Sequence, residues 1–299
     1  MQGLPPIDRA MLQAVPRQLV GLSWGKHGGG MNGFSRRSFA ATNRRWQGEA
    51  MNMELDERLL QACLNGDRRR RDHPAVPETP AQLASAARSV VEAGADSLHV
   101  HPRDDEGRET LEASHVAACL NAIREGVPGV PVGVGTGEWI APGGRARQEL
   151  IRRWTVRPDY ASVNLREADS PEVMALLTSM GVGIEAGVWS TEDARRFVTL
   201  DEARDCLRVL VELTSDDPAE AFAECRKIMK ILDRDGPALP RLLHGENGSA
   251  WAMAAEAVRS GLSTRIGFED VLTLPDGTAA PDNAALVREV CLLRSAARS

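Results

Sequence analysis

From Leu59 onward, short apolar runs alternate with longer amphipathic runs eight times. Short apolar runs bounded by turn residues predict strands; longer runs with apolar positions three and four apart predict helices. The predicted strands are Leu59–Leu64, Ser97–Arg103, Pro131–Gly137, Tyr160–Leu165, Gly183–Trp189, Arg208–Leu213, Arg241–Gly245 and Thr264–Phe268. The first helix opens on Thr79-Pro80-Ala81-Gln82, a capping box with proline at the first helical position, and Gly94 supplies its C-cap. Further helices are predicted over Leu111–Glu125, Ala146–Val156, Ser170–Gly181, from Ser190, from Asp217, over Ser249–Arg259 and over Asn283–Ala296. Eight βα units in about 240 residues predict a (β/α)8 TIM barrel. An open doubly wound sheet is the alternative, but Gly133–Gly137 lacks the glycine spacing and phosphate loop of a dinucleotide fold.

In such barrels chemistry gathers at the C-terminal ends of the strands. Here those ends carry Asn65 and Asp67, His99 and His101, Thr136, Ser162 and Asn164, Glu185, Glu212, His244 and Glu246, and Arg265, Glu269 and Asp270. His99 and His101 are two residues apart, so on a strand they share a face. With one carboxylate from the acidic end of the last strand, Glu269-Asp270, they would make a two-histidine, one-carboxylate set, which leaves open positions on zinc. The same set holds ferrous iron in oxygenases, so carbonyl chemistry, hydrolysis and oxygen chemistry all remain open. Arg265 beside Asp270 would keep that acid ionised for proton abstraction; the alternative is a salt bridge on the rim.

Composition narrows the setting. The chain has 299 residues, 42% of them hydrophobic, and a net charge of −6, which argues against nucleic acid as the main partner. No apolar run approaches a membrane span. The five cysteines are scattered without metal-thiolate spacing and read as reduced thiols of a cytoplasmic protein. Residues 1–50 differ, with seven Lys and Arg against two acids and no sustained periodicity. Residues 1–52 are expected to be a poorly ordered arm or the product of a start placed upstream of Met51 or Met53, and 53–299 a single catalytic domain. Ser35-Arg36-Arg37-Ser38-Phe39 has the look of a twin-arginine signal, but no apolar region follows it.

Asn65-Gly66-Asp67, His73 through Pro80, Glu92-Ala93-Gly94-Ala95, His99-Val100-His101-Pro102-Arg103-Asp104, Gly135-Thr136-Gly137, Ser162-Val163-Asn164 and Arg265 through Asp270 together resemble the β-keto acid cleavage enzymes. The resemblance covers roughly residues 59–295. It implies a zinc-dependent barrel, usually a homotetramer, that converts a β-keto acid and acetyl-CoA into acetoacetate and a new acyl-CoA. By position it makes His99, His101 and Glu269 the zinc ligands and Arg265 and Asp270 the dyad that promotes deprotonation. Asp67 falls at an active-site Glu of the type member, and Ser162 at a Thr that holds substrate. Asn164, Thr136, Glu185 and His244 are the further expected substrate contacts. Gly135 stands in place of a Ser, and the stretch Leu200–Gly248 matches poorly, so the distal end of the substrate is expected to differ. A zinc hydrolase or aldolase, or a non-catalytic metabolite-binding barrel, are the competing functions.

Overall fold

The computed structural model describes residues 58–298; the expected N-terminal arm lies outside them. Eight parallel strands run β1 Leu60–Cys63, β2 Ser97–Val100, β3 Val132–Gly135, β4 Tyr160–Asn164, β5 Gly183–Val188, β6 Arg208–Leu213, β7 Arg241–Gly245 and β8 Thr264–Ile266. They hydrogen-bond in the order β7-β6-β5-β4-β3-β2-β1-β8. A bridge between Leu242 and Ser263, with Leu243 N donating to the Ser263 carbonyl at 3.0 Å, closes β7 onto β8. The fold is therefore the (β/α)8 TIM barrel that the alternating runs predict. Around it lie α1 Pro80–Glu92, α2 Ala113–Gly126, α3 Arg145–Arg152, α4 Ser170–Ser179, α5 Thr191–Phe197, α6 Pro218–Asp235, α7 Ala250–Ser260 and α8 Asn283–Ala296. No helix among the described residues is long and apolar enough to cross a membrane.

Local chemistry sets the ends of these elements. The capping box at Thr79 and Gln82 is formed as the sequence predicts. Helix α3 stops at Arg152, short of the predicted Val156, because the chain turns to bury Trp154, whose indole N–H donates to the Leu111 carbonyl at 2.9 Å. Strand β2 ends at Val100 rather than Arg103. There the Asn65 side chain takes over the neighbouring strand's part: its amide donates to the His101 carbonyl and its oxygen accepts from His101 N–H, both at 2.9 Å. His101 thus leaves the ladder with its backbone satisfied.

Outward-facing Leu60, Ala62, Leu98, Val100 and Val134 pack under the helices in one aliphatic cluster. The barrel interior is different. Gln61 on β1 donates to the Tyr160 hydroxyl on β4 at 3.0 Å and to Glu185 on β5 at 2.8 Å. Arg208 on β6 donates to Glu185 at 2.6 Å and lies over the Tyr160 ring. These contacts cross the barrel, so its inner layer is a hydrogen-bonded polar network instead of the usual branched aliphatics. Tyr160 has room because β3 carries Gly133, where a Cβ would lie 2.0 Å from the tyrosine ring.

Candidate metal centre and active site

Directly above that layer, His99 Nε2 and His101 Nε2 stand 3.1 Å apart. Glu269, in the turn after β8, brings Oε2 to 3.8 Å from His99 Nε2 and Oε1 to 3.7 Å from His101 Nε2. Both histidines are buried. His101 Nδ1 is bonded to the Glu109 carboxylate, and His99 Nδ1 faces Glu185 Oε2 at 3.9 Å. With each ring proton on Nδ1, on the side of those carboxylates, both Nε2 atoms would present lone pairs to the same point. At that separation one ring can donate an N–H to the other, or both can turn their lone pairs to one cation. Burial pushes His99 down to about 4, so its ring is neutral at working pH and free to ligate. Burial opposes the charge of His101 as well, but Glu269 and Glu109 outweigh it and raise that pKa. Burial would raise Glu269, yet Arg265 and the two histidines hold it far below the carboxylate range. A Cβ at Gly66 would lie 2.3 Å from Glu269 Cγ, and one at Gly135 would lie 2.2 Å from His101 Nε2. The site is cut to the shape of these three side chains, whose ligand atoms all lie within 4.8 Å of one another and could hold a metal ion.

Arg265 links this cluster to a second one. It donates to Glu269 Oε1 at 2.8 Å and to Asp270 Oδ1 at 2.8 and 3.1 Å. Strand β8 ends at Ile266, so strand periodicity does not place these carboxylates. The turn at Gly267, where a Cβ would strike the Cys63 carbonyl at 1.9 Å, folds both acids back onto one guanidinium. Asp270 is completely buried, and its Oδ2 has no partner. His244 Nδ1 lies 3.4 Å from Asp270 and its Nε2 3.3 Å from Glu212. Burial and Arg265 disfavour its charge, but those two carboxylates win and raise it to about 9. Beyond, burial and Glu212 push Glu246 up to about 8.

The remaining expected contacts separate. Ser162, half-buried, and Asn164 sit at the end of β4, where Asn164 donates to Glu167 at 2.9 Å. The Thr136 hydroxyl is turned to its neighbour strand and donates to the Ser162 carbonyl at 2.6 Å. Arg147, fully buried, ties the Thr136 carbonyl at 2.9 Å to the Glu167 and Asp169 carboxylates and so fixes both loops. Asp67 is exposed on the rim. Glu185 is the correction. It is completely buried below His99 and already paired with Arg208, so it is not open to a substrate ammonium. Its register partner is Arg208, the first residue of β6, which places it one layer beneath the mouth.

Glu109, Gln61 and Arg208 escaped the sequence reading. Glu109 reaches His101 because the chain doubles back through Asp104–Arg108, with Gly107 at φ +75° and a bridge from Arg103 to Glu109. The acidic turn ending in glycine was the available signal.

Among proteins of assigned activity, the chain is 28% identical over 241 residues to the 3-oxoadipate:acetyl-CoA acetyltransferase of Cupriavidus necator, covering 75% of this chain and 84% of that one. It is 23% identical over 253 residues to the 3-keto-5-aminohexanoate cleavage enzyme of Fusobacterium nucleatum, covering 80% and 92%. Of solved structures, apo ObcA matches with a TM-score of 0.59 at 16% identity, over 73% of this chain and 61% of that chain. This chain therefore spans less than two thirds of the length of ObcA. A type I 3-dehydroquinate dehydratase from Clostridium difficile matches at 0.55 and 11% identity, over 81% and 94%. At such identities the structural matches speak for the barrel alone. The model of the β-keto acid cleavage enzymes matches residues 58–205 and 242–298, passing over β6 and α6 but taking in His99, His101, Arg265, Glu269 and Asp270, and the chain belongs to that family of enzymes.

Proposed function

We propose that this chain condenses a β-keto acid with acetyl-CoA and releases acetoacetate and a new acyl-CoA through a Claisen and retro-Claisen sequence, with zinc as its metal. The observation that carries this reading is the pair of facing Nε2 atoms closed by Glu269, beside a buried Arg265–Asp270 pair. His99, His101 and Glu269 would hold the zinc, which when bound supplies Lewis-acid polarisation of the 3-keto group. Asp270 takes the proton from the carbon between the two carbonyl groups, through its unpartnered Oδ2. Arg265 holds Asp270 and Glu269 at their stations, and His244 braces Asp270 from the other side. The half-buried Ser162 hydroxyl, which has no hydrogen-bond partner among the described residues, bonds the substrate carboxylate, with Asn164 and Thr136 shaping that side and Asp67 on the rim.

The relatives act on keto acids of opposite distal charge, 3-oxoadipate and 3-keto-5-aminohexanoate. Residues 206–241, outside the family match, supply Glu212 to this end of the site. The test measures metal content alongside acetoacetate formed from acetyl-CoA and cationic, neutral and anionic β-keto acids. About one zinc per chain with acetoacetate from at least one acid is expected. Zinc without acetoacetate across all three classes would refute the reaction and favour a hydrolase or aldolase; no zinc after reconstitution would refute the site. Size-exclusion with light scattering tests the homotetramer, and cell fractionation the cytoplasmic location, that complete the reading.

A further inference from the structure

One side of the barrel mouth is open and rich in arginine. A cavity of about 540 Å³ lies among the loops that follow β1, β2 and β3. That volume falls within the ~300–1,000 Å³ of small-molecule sites and exceeds what a short keto acid needs. Four arginines, Arg69, Arg71, Arg103 and Arg108, line it beside four carboxylates, Asp67, Asp104, Glu109 and Glu112, and the indole of Trp139.

Arg103 is 7% exposed and donates only to backbone carbonyls, those of Gly66 at 2.5 Å, Arg68 at 2.8 Å and Gly107 at 3.3 Å. It makes no ion pair among the described residues, and its Nε has no partner. A buried charge in that state attracts an anion. Arg71 is largely in solvent, with its nearest carboxylate, Asp72, 3.9 Å away. Glu109 is taken up by His101, and Asp104 by Arg108, which also holds Glu106 at 3.0 Å but keeps its side chain largely in solvent, where an anion can compete for it. Trp139 is 54% exposed, one of two large hydrophobic side chains so placed among the described residues. It lies 6.4 Å from Trp189, which in turn carries Arg166 over its ring at 5.1 Å. An indole supported in this way, with Arg71 and Arg103 on the same cavity wall, suits a planar base joined to phosphates. Glu109 belongs both to the cavity wall and to His101, so the inner side of the cavity is one side chain from a candidate metal ligand.

We propose that this cavity docks the nucleotide end of coenzyme A, with the phosphates against Arg71, Arg108 and Arg103 and the adenine on Trp139. The pantetheine arm then runs past Glu109 to the metal centre. The inference rests on the acetyl-CoA reading above and assigns that co-substrate a place.

The experiment uses the full-length, zinc-loaded protein with free CoA and adenosine 3′,5′-bisphosphate as probes in calorimetry. The variants are the double substitution Arg71→Ala with Arg108→Ala, then Trp139→Ala and Trp139→Phe, each checked for folding by circular dichroism. The double variant is expected to bind both probes at least roughly tenfold more weakly, with a flatter salt dependence. KM for acetyl-CoA should rise similarly while KM for the keto acid and kcat stay within about twofold. Trp139→Phe should restore what Trp139→Ala loses. Unchanged probe affinity in the double variant overturns the docking site, even if acetoacetate is still made. CoA binding that these variants weaken, in a protein that makes no acetoacetate, would sustain the docking site and sink the reaction. Loss of oligomeric state with unchanged CoA affinity would give the surface to a second copy of the chain and overturn the proposal.

Discussion

Gly135→Ala isolates the geometry of the metal centre from its chemistry, because it removes no ligand and adds one methyl group. The backbone at 135 is in an ordinary strand within β3, so alanine brings no conformational penalty there. The added carbon would stand 2.2 Å from His101 Nε2, and an ordinary contact needs 3.4 Å, so the imidazole must retreat by about 1.2 Å. It cannot swing freely, because Nδ1 is held by Glu109 and the His101 backbone by Asn65. Metal–ligand distances tolerate only about 0.2 Å. A displacement several times larger should cost at least about 10–100-fold in zinc affinity, the penalty for losing a supporting contact elsewhere. Overpacking should cost the metal-free protein only about 1–3 kcal/mol. The assay is zinc competition against a chromophoric chelator, with urea unfolding of the apo protein beside it. Zinc affinity within about threefold of wild type, in a variant that folds, would refute the claim that His101 Nε2 faces the metal across Gly135.

Other perturbations test the neighbouring parts. Glu269→Gln should lose zinc and turnover together, read by metal analysis and the acetoacetate assay; full zinc content would remove Glu269 from the ligand set. Arg265→Ala should lower kcat by about 10²–10⁴ through Asp270 and, because Arg265 also holds Glu269 at 2.8 Å, weaken zinc as well; unchanged turnover with zinc bound would take the pair out of the mechanism. His244 titrates near 9 in the folded chain against 6.5 in the unfolded one, so the stability it contributes is complete below about pH 6.5 and is lost as pH rises through 9. That is up to about 3 kcal/mol. Urea unfolding should show wild type losing more stability than His244→Gln between pH 6.5 and 9.5, and parallel curves would contradict the raised pKa. Arg208→Met strands the buried Glu185 carboxylate and should destabilise the fold by about 3–5 kcal/mol, whereas Glu185→Gln with Arg208→Gln together should cost less; equal losses would deny the pairing.

The barrel was legible because strands covered on both faces and helices covered on one leave different periods in the sequence. The histidine pair was legible because a spacing of two fixes both side chains to one side of a strand. Strand ends were not, since the ladder of β2 stops where Asn65 substitutes for it, an event that no local pattern encodes. Glu109 stayed hidden for a related reason: its partner lies eight residues back, and only the turn at Gly107 brings the two together. Glu185 was visible but misplaced. Position near the end of a run says that a side chain faces inward, yet its height in the barrel depends on stagger between strands, and β6 begins level with it.

The polar layer beneath the metal centre follows from what His99 must do. To offer a lone pair at Nε2 it needs its proton at Nδ1, and the carboxylate facing that atom is Glu185. A lone carboxylate at zero exposure would be protonated or would unfold the barrel. Burial does push Glu185 toward protonation, but Arg208, with His99 and Gln61, reverses the shift and keeps it charged. Arg208 in turn needs a face to lie on, which Tyr160 provides, and Tyr160 needs the empty volume of Gly133. Each residue in this chain of dependence is placed by the demand of the one above it. The aliphatic filling expected inside a barrel of this kind could occupy the same volume, but it would leave no carboxylate facing Nδ1 of a candidate metal ligand.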